Sequence, residues 1–249
     1  MTSRLTFQPG RHTYKIDGIQ VPSVTQLLKQ LDKPALVRWA SNTAADYATD
    51  NWAALEHVQP SERRKLIAGS PWASRDRAAA AGTAIHALAE MLLAGQPVEV
   101  PEPLTNKVQG LARWIEGSGV TVLLAEVRVY SDPDPELGLV GYAGTLDTIV
   151  KHPQLGVGLL DWKTGSGIYT EAALQVAAYA AAEWMVDKET DTDLRMPSIE
   201  WLGAVHIRDD GATLHTLSGE DRHAAGQRFD LLRLLANVEE PTWRQEISA

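Results

Sequence analysis

The stretch "GLLDWKTGSG", residues 158–167, runs from apolar residues into Asp161-Trp162-Lys163-Thr164 and then breaks into Gly165, Ser166 and Gly167. Side chains alternate along a strand, so Asp161 and Lys163 point to one face with α-carbons roughly 6–7 Å apart. That spacing is compatible with a surface ion pair at a strand end, or with half of a metal-dependent site that cleaves phosphodiesters. The preceding β-prone run contributes Asp147 in "GTLD" (144–147), and a short hairpin between the runs sets the two carboxylates side by side. Paired carboxylates are oxygen ligands suited to Mg²⁺ or Mn²⁺. A nearby lysine can support the nucleophile or the phosphate.

Working outward, "TVLLAEVRVY" (121–130), "VGYAGTLDTIV" (140–150) and "VGLLDWKT" (157–164), separated by turn-rich segments, predict a three-stranded antiparallel meander. A long helix is expected over 170–186, then a polar linker (187–197), a hairpin over 199–217 turning at Asp210-Gly211, and a last helix over 220–238. Before the meander, "HTYKIDGIQV" predicts a hairpin around Asp17-Gly18, and Ser23 is a candidate N-cap. Residues 34–93 are alanine-rich and helical in pattern, and Pro60, Gly69 and Pro71 predict several segments. A loop (95–103) and a short amphipathic helix (104–117) follow. The pattern is an α/β core from residue 120 onward, preceded by a hairpin and helical region over 1–119 that packs with it as one unit.

Two helices carry further polar residues. Gln175 and Tyr179 are four apart on one face of a helix otherwise rich in alanine and valine, where an amide and a phenol can bind phosphate or orient a base, and where a tyrosine can equally be packing. His86 lies four residues after Gly82, in a helix whose apolar stripe is Ile85, Leu88 and Leu92. It is either a structural histidine or a neutral imidazole ligand, and Gly82 permits close backbone approach.

Composition limits the chemistry. Zero cysteines exclude disulfides, thiolate nucleophiles, zinc-thiolate sites and cysteine-held iron–sulfur clusters, so a metal must sit on oxygen and imidazole. With no apolar run of membrane length and a polar start, "MTSRLTFQPGRH", neither membrane insertion nor secretion is indicated, and a cytoplasmic location is expected. The net charge of −9 argues against nucleic acid on average, yet it is unevenly spread. Residues 1–120 hold 13 Lys and Arg against 11 Asp and Glu, whereas residues 121–249 hold 10 against 21. An acidic half that binds cations beside a mildly basic half that holds phosphates fits an enzyme acting on nucleic acid. Trp39, Trp52 and Trp72 in the basic half are candidates for base stacking or for packing anchors.

The ordered set "GTAIH" (82–86), "AEVRVY" (125–130), "GTLD" (144–147), "DWKT" (161–164) and "QVAAY" (175–179) resembles the RecB-type branch of the PD-(D/E)XK nuclease superfamily. That branch includes RecB and AddB nuclease domains, CRISPR-associated RecB-like nucleases and small phage exonucleases. The opening "GIQVPSVTQLL" also resembles the start of small members. The resemblance implies a restriction-endonuclease-like core with a central mixed sheet flanked by helices. It implies a metal-dependent DNA nuclease, most closely an exonuclease acting on single-stranded or duplex ends, with a recombination or repair protein as a possible partner. The alternative is a non-catalytic DNA-binding or assembly module on the same fold. By resemblance, His86, Asp147, Asp161 and the Trp162 carbonyl hold Mg²⁺ or Mn²⁺, and Lys163 is the catalytic lysine. Glu126 joins or tunes the metal site, while Gln175 and Tyr179 hold DNA and arrange the site. The cysteines that hold an iron–sulfur cluster in many relatives are absent, so cluster-based anchoring of duplex does not carry over.

Overall fold

The computed structural model describes residues 2–238. It begins with a small antiparallel sheet of β1 (Leu5–Gln8), β2 (Thr13–Ile16) and β3 (Ile19–Val21). The expected turn at Asp17-Gly18 has both residues at positive φ, 50° and 83°, the geometry that lets two strands of right-handed twist close on a two-residue loop. Ser23 then caps α1 (Val24–Leu27) through a reciprocal box with Gln26. The chain is pinned there to the main sheet by a hydrogen bond from the Ala143 amide to the Pro22 carbonyl.

The helical region comprises α2 (Pro34–Asp50), α3 (Trp52–Leu55), α4 (Pro60–Leu93) and α5 (Thr105–Ser118). The expected break at Gly69 and Pro71 does not occur, and α4 runs unbroken for 34 residues. Pro60 opens it, where a missing amide costs nothing. An interior proline leaves the carbonyl four residues back without its donor. Here that is the Ile67 carbonyl, and the neighbouring Ser70 hydroxyl donates to it at 2.8 Å. Ser70 and Pro71 are both buried, so packing holds the helix together across the defect.

From residue 121 the expected meander forms: β4 (Thr121–Ser131), β5 (Tyr142–His152) and β6 (Gly156–Lys163) are joined antiparallel. The next helix, α6 (Thr170–Ala180), is shorter than the expected 170–186. Trp184–Val186 instead form strand β7 on the edge of β4, and the supposed linker contains β8 (Asp193–Arg195). Tertiary pairing overrides the helical pattern, because Trp184 stacks on Tyr130 with centroids 6.4 Å apart and receives the Arg195 guanidinium on its ring. The expected hairpin is β9 (Trp201–Arg208) with β10 (Gly211–Thr216), and α7 (Gly219–Ala236) closes the described chain.

The large sheet has the order β10-β9-β6-β5-β4-β7-β8, with β9 parallel to β6 and every other pair antiparallel. This is the expected α/β class: a seven-stranded mixed sheet flanked by helices, with a helical region before it. One face packs α1, α6 and α7 through Leu27, Leu146, Leu159, Leu174 and Phe229. The other packs α4 and α5 through Ile85, Ala89, Leu111, Leu160 and Trp162. Both cores and the β1–β3 cluster combine residues from either side of position 120. The far end of the 120–249 segment lies outside the described residues. Among the described residues no helix is long and apolar enough to cross a membrane.

Gly158 on β6 lies directly beneath the Trp201 indole, whose Nε1 donates to the Gly156 carbonyl at 3.1 Å. A Cβ at Gly158 would occupy the ring's position. Gly158→Ala is therefore expected to cost about 3 kcal/mol or more in chemical denaturation. Gly219→Ala, at the open start of α7, should be neutral or mildly stabilising. Equal stabilities for the two variants would contradict this packing.

Candidate metal centre

The site forms where two strands stop pairing. The β5–β6 ladder ends at Thr148 opposite Leu160, and the next residues along are Asp147 and Asp161. There the Asp147 carboxylate takes over from the ladder, its Oδ2 accepting the Trp162 amide at 2.8 Å. β6 stays in register with β9 through Asp161, Trp162 and Lys163, so the Asp-x-Lys segment is rigid although its other edge is open.

His86 reaches this opening from α4. Ile85, Leu88 and Ala89 bury the helix face against the sheet, and Leu92 packs at their margin. Gly82 allows the approach, since a Cβ there would lie 3.3 Å from Thr164 Oγ1. His86 Nε2 is 2.9 Å from the Trp162 carbonyl oxygen. A carbonyl only accepts, so Nε2 carries a proton and Nδ1 is the nitrogen turned toward the carboxylates. Nδ1 faces Asp147 Oδ2 at 3.4 Å. That gap takes an Nδ1 proton when the ring is an imidazolium, or a cation when Nδ1 is unprotonated. The Trp162 carbonyl, expected as a ligand, meets His86 Nε2 here and orients the ring.

Glu126 completes the cluster. One ligand atom each from His86, Glu126 and Asp147 lie within 4.8 Å of one another. Glu126 stands in the interior of β4 with φ at 50°, a left-handed conformation that costs a non-glycine residue roughly 1–3 kcal/mol. Glu126 was expected to join the metal site or tune it, and the structure places it among the three residues in mutual reach. Glu90, one turn beyond His86 on α4, was not singled out from sequence. Its charge acts on Glu126, and the four-residue spacing from His86 was the available signal.

Asp161 lies on the other side of the opening. It is 1% exposed, and its Oδ2 sits against the Lys163 ammonium without accepting an aligned hydrogen bond. Lys163 also donates to Gln175 Oε1 at 3.0 Å, and Gln175 Nε2 reaches the Tyr179 hydroxyl at 3.5 Å. Tyr179 is buried, with its ring against Gly144, and it meets the site through Gln175. Both residues of the α6 pair therefore serve to aim the lysine.

Electrostatics follow from burial and like charge. Burial, then the charge of Asp147, raise Asp161 to about 6, against the lowering effect of Lys163. Burial and the charges of Asp147 and Glu90 raise Glu126. Burial alone would lower His86, but its contact with Asp147, the charges of Asp147 and Asp161, and the Trp162 carbonyl carry it upward. Three carboxylates and one ammonium share the opening, and a divalent cation answers each of these shifts. The donor set of one imidazole nitrogen and carboxylate oxygens fits Mn²⁺ or Mg²⁺.

No protein-family model matches the chain, and no curated protein matches it in sequence.

A carboxyl whose pKa is raised on folding destabilises the fold when ionised. For Asp161 that penalty is absent below the ordinary value of 3.8 and complete above about 6. Asp161→Asn is therefore expected to raise the Tm of metal-free protein at pH 7.5 by roughly 5 °C, and to leave Tm at pH 4 nearly unchanged. A lower Tm at pH 7.5 would make Asp161 and Lys163 a structural ion pair.

Proposed function

We propose that the protein is a divalent-metal-dependent nuclease that hydrolyses phosphodiester bonds of DNA, an exonuclease of the RecB-type branch of the PD-(D/E)XK superfamily. The observation that carries this reading is the convergence of His86, Glu126 and Asp147 within 4.8 Å, beside an Asp161–Lys163 pair whose lysine side chain is partly exposed. The five sequence motifs come from α4, β4, β5, β6 and α6, and the fold gathers them at one opening of the sheet. A structural ion pair needs none of the imidazole, the strained glutamate or the aimed lysine.

In this reading His86, Glu126 and Asp147 hold Mg²⁺ or Mn²⁺, with Asp161 as the further carboxylate. The ion supplies a water of lowered pKa and neutralises charge on the phosphate. The chain's own residues do the rest. Lys163, 27% exposed at its side chain, presents its ammonium where charge builds on a phosphoryl oxygen. Gln175, braced by Tyr179, limits the directions that ammonium can take. The Trp162 carbonyl keeps His86 in the tautomer whose Nδ1 faces the carboxylates.

Digestion of end-labelled linear DNA and of closed circular DNA with Mg²⁺, Mn²⁺ or chelator tests the reading. Cleavage of linear DNA that chelator abolishes is expected, with circular DNA resistant. No cleavage with either ion would overturn it. Lys163→Ala should cut the rate about 10²–10³-fold while Mn²⁺ affinity by calorimetry changes little. Loss of both together would give the lysine a structural role.

His86→Ala should weaken Mn²⁺ binding more than Mg²⁺ binding, because imidazole suits the softer ion. Protons compete with metal at Nδ1 and the site raises the His86 pKa, so metal affinity and activity should fall with decreasing pH from above 6.5. A metal affinity that does not change as pH falls through the His86 titration would show that the imidazole is not a ligand.

A further inference from the structure

The amino-terminal two-thirds of α4 projects a solvent-facing stripe that the metal site does not use. At about 100° per residue, Arg64, Lys65, Trp72 and Arg75 all lie within about 60° of the direction of His86 on this one continuous helix. All four are exposed, and Trp72 is 56% accessible, a large apolar area to leave in water. The opposite side of the helix buries Ser70, while Pro71 is buried at one edge of the stripe, and Arg63 on the opposite side is engaged with the carbonyls of Leu55, Glu56 and Val58. Along the middle of the stripe, Ala68 lies between Lys65 and Trp72 and Ala79 between Arg75 and His86, both small side chains. Arg75 lies over the Trp72 ring, 4.9 Å from its centroid. The acidic group touching the stripe is Asp76, paired with Arg75 at 2.7 Å in a pair more than half exposed on both sides, which a phosphate can displace at little cost.

We propose that this stripe is a track for a single nucleic-acid strand running to the metal centre, with a base stacked on Trp72 and phosphates on Arg75, Lys65 and Arg64. It rests on the proposed nuclease function and specifies the form of substrate. Charge and shape identify the occupant. The cations alternate with an aromatic face along a line, the pattern that binds a single strand by backbone charge and base stacking without regard to sequence. The protein as a whole carries −9, so a row of three cations on one ridge is selective for a polyanion. The line also has the right terminus. A rise of 1.5 Å per residue puts Trp72 roughly 21 Å and Lys65 roughly 32 Å from His86 along the same face, so a strand lying on it leads into the opening between β5 and β6. A flat ridge one side chain wide grips a duplex less well than a strand with unstacked bases.

The test measures binding in chelator, where no cleavage intervenes, with a fluorescent 20-nucleotide single strand and the matching duplex. Trp72→Ala should weaken single-strand binding about tenfold and remove part of the tryptophan quenching, with a smaller effect on duplex. The double variant Arg64→Ala/Lys65→Ala should reduce the salt slope by about 1.4. Ala79→Lys adds a cation on the same line and should tighten binding, whereas Ala73→Lys, off the line, should not. These residues are exposed, so unchanged Tm is expected throughout, and the lysine gain requires a folded protein. Unchanged affinity and salt slope in the loss variants, or equal gains from Ala73→Lys and Ala79→Lys, would overturn the track. So would a wild-type protein that binds no single strand. Hydrolysis of the p-nitrophenyl ester of thymidine monophosphate, too small to reach the stripe, separates this from the site. Ester hydrolysis with no stripe effect removes the track and keeps the metal centre, and stripe-dependent binding without hydrolysis does the reverse.

Discussion

The candidate site depends on one close contact: His86 Nδ1 facing Asp147 Oδ2 across 3.4 Å, with Glu126 and the buried Asp161 close by. Its participants are held in place by other contacts. Asp147 is held by the Trp162 amide, His86 by the Trp162 carbonyl, and Trp162 itself by burial in the core beneath α4 and α5. One peptide-flanked tryptophan thus sets the separation of two ligands that would otherwise turn apart. Its position is fixed in turn by the parallel pairing of β6 with β9.

The same logic explains why α4 is long and unbroken. His86 must be presented from the far face of the sheet with its helix tight against Thr164, which Gly82 permits. A break at Pro71 would uncouple the outer helical region from that position. Ser70 supplies the missing donor to Ile67, and burial of Ser70 and Pro71 secures the turn, so the outer stripe and the imidazole share one rigid axis. On the other face, α6 sets Gln175 and Tyr179 behind Lys163. In the proposed site the two helices would divide the work, α4 bringing a ligand and α6 aiming the ammonium.

Much of this was legible in the chain because local rules and the fold agree. The turn at Asp17-Gly18, the Ser23 cap, the three-strand meander and the Asp-x-Lys alternation each depend on neighbours in sequence, and each formed. The readings that failed depend on distant partners. Trp184–Val186 continue a helical pattern yet pair with β4, because Tyr130 offers a stacking surface that no local rule reveals. Pro71 reads as a breaker until Ser70 is seen donating to Ile67. In the site, local rules do not reveal that the Trp162 carbonyl meets His86 or that Tyr179 backs Gln175. Glu126 gained importance for a reason sequence does not carry, a left-handed backbone in the middle of a strand that turns its carboxylate toward His86 and Asp147.

The central claim is that the opening between β5 and β6 is a divalent-cation site. Anomalous diffraction from crystals soaked in Mn²⁺ tests it most directly, because it locates the ion without reference to activity. The account predicts a peak bonded to His86 Nδ1 and to carboxylate oxygens of Glu126 and Asp147, at roughly 2.0–2.3 Å. A fully soaked crystal with no peak there, or with His86 Nδ1 donating a hydrogen bond to Asp147 in place of an ion, would contradict it.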